Sequence, residues 1–228
     1  MSQQKFVEEL LSKSSHHIDA ILEIVKKFCS LDTYMNQGLK EFWEGNILVA
    51  GNDKTKPNPK LFSKIYNLYK AAENATNVLE IGVNSGFSCM FMLMANPDLK
   101  IIGVDICSHG YVRPCVEYLN QHFNDRITLY PGDSSVVMKD LIKQGDAGFY
   151  TIDLFHIDGC HLVKVAREDL NNCHQLAIKN KSIVIFDDTQ IGHLKRLWNQ
   201  FVADKKIKVL PKTCTNHPEF QHEIGVYI

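Results

Sequence analysis

Little in this sequence marks it for a special environment. Its seven cysteines, Cys29, Cys89, Cys107, Cys115, Cys160, Cys173 and Cys214, are odd in number and scattered, with no C-x-x-C pair and no zinc-ligand spacing. They read as reduced thiols, which excludes a disulfide-stapled secreted scaffold. An excess of one charge is also missing: 25 Lys and Arg stand against 26 Asp and Glu, for a formal net charge of -1. That balance leaves no broad electrostatic footprint for nucleic acid or an anionic membrane. No stretch approaches the roughly 18 apolar residues of a membrane span, and the N-terminal MSQQKFVEELLSKSSHH lacks the apolar core of a signal peptide. A cytoplasmic protein with no membrane partner is expected. Internal repeats, low-complexity segments and an N-P-P-Y-like motif are absent, so nucleic acid is not the expected partner.

What is present is an ordinary globular composition, 45% hydrophobic and 22% charged over 228 residues. That is enough chain for one α/β domain with a core and a modest helical extension. Ile18, Ile21, Leu22, Val25 and Phe28 recur at helical spacing after Ser14 and Ser15, which predict a helix cap. Leu61, Phe62, Ile65, Leu68 and Tyr69 repeat the pattern, and the intervening GNDKTKPNPK of residues 51–60 reads as an exposed connection. Residues 1–75 are therefore expected to form a helical extension or cap, and residues 76–228 the main domain.

From Asn77 onward strand and helix patterns alternate, with strands predicted at 77–83, 100–106, 126–131, 151–157, 182–187, 206–210 and 222–228. Leu162, Val165, Ala166, Leu170 and Cys173 share one face of a predicted helix, and Ile191, Leu194, Leu197, Trp198 and Phe201 share one face of another. Such alternation with short loops implies a parallel, doubly wound sheet with right-handed crossovers. The last two strands are separated by Pro211 to His217, too short for a crossover helix, so they must run antiparallel.

The chain is organised around Asn77 to Ser88, NVLEIGVNSGFS. Val78, Leu79 and Ile81 read as a strand buried on both faces, Gly82 and Gly86 bracket a turn, and Phe87 to Ala95 reads as the next helix. Glycines let a ligand approach the backbone, while the new helix presents free N–H groups to it. Glu80, Gly82, Asn84, Gly86 and Ser88 are the candidate cofactor contacts here; Asn84 stands where a dinucleotide fold has its middle glycine. Asp105 ends the second strand about 20 residues beyond the turn, where a doubly wound fold puts its ribose-binding carboxylate. Asp133 ends the third strand and either reaches the ligand or caps the helix starting at Ser134.

Two further apolar strands end in acids: FHIDGCH at 155–161 and IFDDT at 185–189. Neighbouring parallel strands deliver their ends to one crevice, which gathers Asp158, Asp187 and Asp188. Bare carboxylates at close quarters repel, and a divalent cation resolves the conflict; oxygen ligands point to Mg²⁺, with Mn²⁺ as substitute. The alternative is that one of Asp187 and Asp188 caps the next helix while the other faces water. His161, three residues past Asp158, is the candidate proton acceptor, or else a histidine that only hydrogen-bonds at a helix end. Strand alternation puts His156 inside the sheet as a satisfied core histidine. The remaining histidines, His16 and His17 included, are expected at the surface.

The glycine turn resembles motif I of class I S-adenosylmethionine-dependent methyltransferases, and the reversed last strand resembles their Rossmann-like sheet. E-I-G-x-x-x-G-F-S, H-I-D-G-x-H and F-D-D together resemble the small metal-dependent O-methyltransferases that include the sugar enzymes of macrolide and aminocoumarin biosynthesis, over about residues 77 to 190. That resemblance implies S-adenosylmethionine as cofactor, Asp133 near the adenine amine, a metal on Asp158, Asp187 and Asp188, and His161 as base. Relatives follow this histidine with an aromatic residue and an acid, whereas Leu162, Val163 and Lys164 stand here. The implied function is methylation of one hydroxyl of a vicinal diol on a sugar or other small molecule, with Asp158 and His161 at the reacting centre, by a possible homo-oligomer. A catechol-type enzyme, a nicotinamide-dependent oxidoreductase and a non-catalytic scaffold are the alternatives. The position of Asn84, the reversed strand and the acid cluster count against the second.

Overall fold

A computed structural model describes residues 2–29, 58–144 and 151–228; most of the 51–60 connection and the side chain of Cys29 lie outside them. The first described helices are α1 (Gln3–Lys13), α2 (Ser15–Cys29) and, after a single 3-10 turn at Pro59–Leu61, α3 (Phe62–Ala72). Ser14 does not cap α2 as predicted. It is fully buried, and its Oγ donates to the carbonyls of Leu10 and Leu11 at 2.9 and 3.2 Å, closing α1 instead. The choice follows from its position: a buried hydroxyl at a helix end satisfies orphan carbonyls that water cannot reach.

Strands and helices then alternate: β1 (Asn77–Ile81), α4 (Phe87–Ala95), β2 (Lys100–Asp105), α5 (Val112–His122), β3 (Ile127–Pro131) and α6 (Ser134–Gln144). They continue through β4 (Leu154–Ile157), α7 (Val163–Leu176), β5 (Ile183–Phe186), α8 (Gly192–Ala203), β6 (Ile207–Val209) and β7 (Glu223–Tyr227). All seven predicted strands form, each shortened at one or both ends. The sheet order is β3-β2-β1-β4-β5-β7-β6, with β7 antiparallel to both β5 and β6. The helix-free connection from β6 to β7 makes that pair antiparallel, and β7 lies between β5 and β6.

Alternation along the strands sends Val78, Ile101, Leu154 and Ile185 to one face and Leu79, Val104, Phe155 and Val184 to the other. The first face is covered by α1 to α5, the second by α6 to α8. The described part of residues 1–75 therefore shares one apolar cluster with the sheet through Val7, Ile21, Leu68 and Ala72. Asn67 of α3 ties this layer to the chain's end, donating to the Cys214 carbonyl at 2.8 Å and accepting from the Cys214 amide at 2.8 Å. On α7 the expected apolar face holds at Ala166, Leu170 and Cys173, but Leu162 is 68% exposed because the helix starts only at Val163. No helix among the described residues is long and apolar enough to cross a membrane.

Candidate active site

The strand order reverses between β1 and β4, which opens a crevice beyond their carboxyl ends. A cavity of about 840 Å³ lies there, a size suited to a cofactor together with a small acceptor. It is lined from the sheet by Gly82, Asn84, Asp105, Asp133, Asp158, Asp187 and Asp188. From the N-terminal layer it is lined by Leu61, Lys64, Ile65 and Leu68 of α3 and its preceding turn.

At the β1 to β3 end the wall is mostly backbone. Gly82 has φ +89°, and a Cβ there would lie 2.0 Å from the Asp158 carbonyl oxygen, so the turn and the end of β4 touch main chain to main chain. Gly86, at φ +81°, starts α4 in the left-handed region that glycine tolerates. Asn84 is also left-handed, at φ 50°, and its side-chain oxygen accepts from the Tyr111 hydroxyl at 3.0 Å. Asp105 accepts from the amides of Asn84 at 2.8 Å and Cys107 at 2.7 Å. A carboxylate offers about four lone-pair sites, so acceptor capacity remains for two adjacent hydroxyls of a ribose. Ser88 also lines this end. Asp133 reaches the cavity wall, but its carboxylate accepts from the Ser135 amide at 2.8 Å and so begins α6; hydrogen bonding from the Ser135 side chain first, and from its amide next, holds it below the usual carboxylate range. Glu80 does not face the cavity. It is fully buried, accepting from Cys89 Sγ at 2.6 Å and contacting His156 Nδ1 at 2.7 Å.

The β4 to β5 end is built from charged side chains. His156 is a buried histidine of the sheet, as expected, but a charged one: burial opposes its protonation, the carboxylates of Asp187 and Glu80 outweigh that, and its pKa is pushed up to about 10. Its Nε2 lies 3.9 Å from Asp187 Oδ2. His161 Nε2 lies 2.8 Å from Asp188 Oδ2, with the His161 side chain 45% exposed at the rim. For Asp188, burial works against ionisation, yet the bond with His161 prevails and its carboxyl stays below its usual range. Asp158 is pushed well above its range, by desolvation first and by Asp187 and Asp188 next.

The predicted acid triad is thus gathered, but with a partner the sequence reading passed over. Lys64 of α3 reaches in to place its Nζ 2.6 Å from Asp187 Oδ1 and 3.6 Å from Asp188 Oδ1. Burial opposes its charge, and the fields of Asp187, Asp158 and Asp188 more than offset this, raising the ammonium above its ordinary range. Side-chain oxygens and histidine nitrogens of His156, Asp158 and Asp187, and of Asp158, His161 and Asp188, lie close enough to serve one ion. The donor set alone would fit Mg²⁺. Lys64 competes with such an ion for the same acids: a divalent ion roughly 4 Å from the ammonium would meet about 8 kcal/mol of repulsion at an effective dielectric near 20, set against its attraction to the carboxylates. A signal was available: Lys64 falls on the apolar stripe of Leu61, Ile65 and Leu68, where a lysine is out of place unless paired.

Of the histidines expected at the surface, His222 and His17 are drawn inward. His222 is buried and lines the cavity beside Asn67, whose Nδ2 is 3.2 Å from its Nε2, and burial pushes its pKa down to about 4. His17 is half-buried against Tyr118, with Nδ1 2.9 Å from the hydroxyl. Both are placed by long-range packing, which residue spacing does not encode.

Residues 79–189 match the family described as a methyltransferase domain. In fold the chain is similar to an O-methyltransferase from Bacillus cereus bound to S-adenosylhomocysteine, at 14% identity over 90% of this chain and 99% of that one, with a TM-score of 0.58. It is similar also to TomG of Streptomyces achromogenes, an O-methyltransferase of tomaymycin synthesis bound to S-adenosylmethionine, at 12% identity over 89% and 97% of the two chains, with a TM-score of 0.61. In sequence it is 28% identical over 153 residues to a tRNA (guanine-N(7)-)-methyltransferase of Haemophilus influenzae, which covers 67% of this chain. The chain spans 58% of that relative's length. Residues 79–189 thus match a methyltransferase domain, and the chain has the fold of these O-methyltransferases.

Proposed function

We propose that the protein transfers a methyl group from S-adenosylmethionine to a hydroxyl of a small molecule, with His161 as proton acceptor. The observation that carries this is the 2.8 Å contact of His161 with Asp188, at the rim of a cavity whose other end offers a glycine turn and Asp105. S-adenosylmethionine, when bound, supplies an electrophilic sulfonium methyl. Asp105 orients the ribose, and the turn from Gly82 to Gly86 lets the ligand lie against the main chain. The acceptor's O–H proton would pass to the imidazole as its oxygen takes the methyl carbon, the carbon–sulfur bond breaking to leave a neutral thioether, and Asp188, held ionised, would stabilise the resulting imidazolium. A phenol ionises near pH 10 and a sugar hydroxyl needs more help, so a placed base favours an aliphatic hydroxyl such as a sugar's. Leu61, Leu162 and Phe220 add apolar surface for the body that carries it.

A tRNA acceptor is the second reading, carried by the name of the Haemophilus relative. Calorimetry with S-adenosylmethionine, then labelled-methyl transfer to sugar diols, catechols, simple phenols and tRNA, separates the readings. His161→Ala is expected to lower turnover of the best hydroxyl acceptor by roughly 10²–10⁴ with cofactor affinity unchanged. Absence of cofactor binding, undiminished turnover in that variant, or transfer to tRNA alone would overturn the proposal.

A further inference from the structure

The acid cluster at the ends of β4 and β5 is already provided with cations. Asp187 Oδ1 faces the Lys64 ammonium at 2.6 Å and accepts from the Asp188 amide at 2.8 Å, while its Oδ2 faces His156 at 3.9 Å. Asp188 Oδ1 accepts from Gln190 Nε2 at 2.9 Å and lies 3.6 Å from Lys64, while its Oδ2 faces His161 at 2.8 Å. Each oxygen of these two carboxylates therefore has a donor or cation beside it. Lys64 is not a wandering surface lysine: its side chain is only 17% exposed, and it rises from a helix packed against both α1 and α4.

We propose that Lys64 is the built-in cation of the acceptor site, standing where a divalent metal would stand, so that the site meets the acceptor oxygen with an ammonium and needs no metal. An ammonium has three donors and no acceptor. Asp187 and Asp188 draw on it from one side, and Lys64 lines the cavity on the other. The specificity differs from that of a metal site. A divalent ion with open positions chelates two neighbouring oxygens, whereas an ammonium donates to one, so a lone hydroxyl suffices and a vicinal diol is not required. Lys64 on this view touches the acceptor directly. The acceptor half of the inference rests on the methyl-transfer reading above; the exclusion of metal does not.

The test is titration of the purified full chain with Mn²⁺ alone, reading the free ion by electron paramagnetic resonance. Wild type and Lys64→Arg are expected to show no tight site, whereas Lys64→Met gains one, with affinity higher by at least about tenfold. Adding Asp187→Asn to Lys64→Met should abolish the gain, which a merely structural role for the lysine would not produce. Tight Mn²⁺ binding by wild type that Asp187→Asn removes would overturn the proposal, as would Lys64→Met gaining nothing while its circular dichroism stays native. Should Lys64→Met not fold, wild type and Lys64→Arg decide alone: tight binding by either overturns the proposal, and its absence from both supports it. Because neither cofactor nor acceptor is present, failure here is distinct from failure of methyl transfer.

Discussion

The two ends of the cavity solve the same problem, holding a polar ligand at a sheet edge, by different means. At the β1 to β3 end the contacts are backbone amides, two left-handed glycines and one carboxylate already braced by two N–H groups. At the β4 to β5 end they are ionisable side chains from strands, loops and α3, balanced against each other. A backbone cradle depends on chain geometry and so tolerates almost no added atom. A charge cluster depends on balance, and can be rebalanced by a different cation. The first end is therefore suited to a fixed cofactor, and the second is where related folds are free to differ in acceptor.

The sharpest way to break this contrast is at the contact joining the two ends. Gly82→Ala would place a Cβ 2.0 Å from the Asp158 carbonyl oxygen at a φ of +89°, so loss of about 4 kcal/mol or more, or failure to fold, is expected. Urea unfolding measures it, and a native midpoint would mean that the turn can move aside. Next is the His161→Ala loss of turnover given above, which must leave the cofactor end untouched if the ends are independent. Asp105→Ala is the converse: it should weaken S-adenosylmethionine binding by roughly 1.5–3 kcal/mol per charge-assisted bond lost. Calorimetry reads this directly, and unchanged affinity would remove Asp105 from the site.

The smallest expected effect lies beneath the charged end. Asp169 on α7 is fully buried, neither carboxylate oxygen has a hydrogen-bond partner, and burial raises its pKa from 3.8 to about 6 despite nearby Ser134. A raised carboxyl binds its proton more tightly in the fold. Its contribution to stability is therefore full below pH 3.8 and is lost as pH rises through about 6. Asp169→Asn, which cannot ionise, should be more stable than wild type at pH 7.5 by on the order of 2 kcal/mol and nearly equal to it at pH 4. A gap that does not change between these pH values would place the charge elsewhere.

Much of this was legible in the residues. The period-two strands, the helix stripes, the glycine turn and the acids at strand ends are local patterns, and a parallel sheet carries its strand ends to one edge whatever the loops do. Asp105 and the meeting of Asp158, Asp187 and Asp188 follow from that rule. The surroundings of Glu80 are not legible in the same way, because alternation tells which face a strand residue points to, not which neighbours meet it there; Cys89 and His156 do. Asp133 had two roles open to it, and its bond to the Ser135 amide fills one of them.

What only the tertiary structure decided is which groups neutralise one another. Lys64 and Asp187 lie on opposite sides of the glycine turn in sequence and meet because α3 packs on α4 while β5 ends at the same edge. Ser14 turned back to α1, and His222 moved inward beside Asn67, for the same kind of reason. Hydrophobic periodicity is a property of neighbouring residues and survives in the sequence alone. Charge balance is a property of distances through space, falling with separation and with the water between, and those distances exist only once the chain has folded.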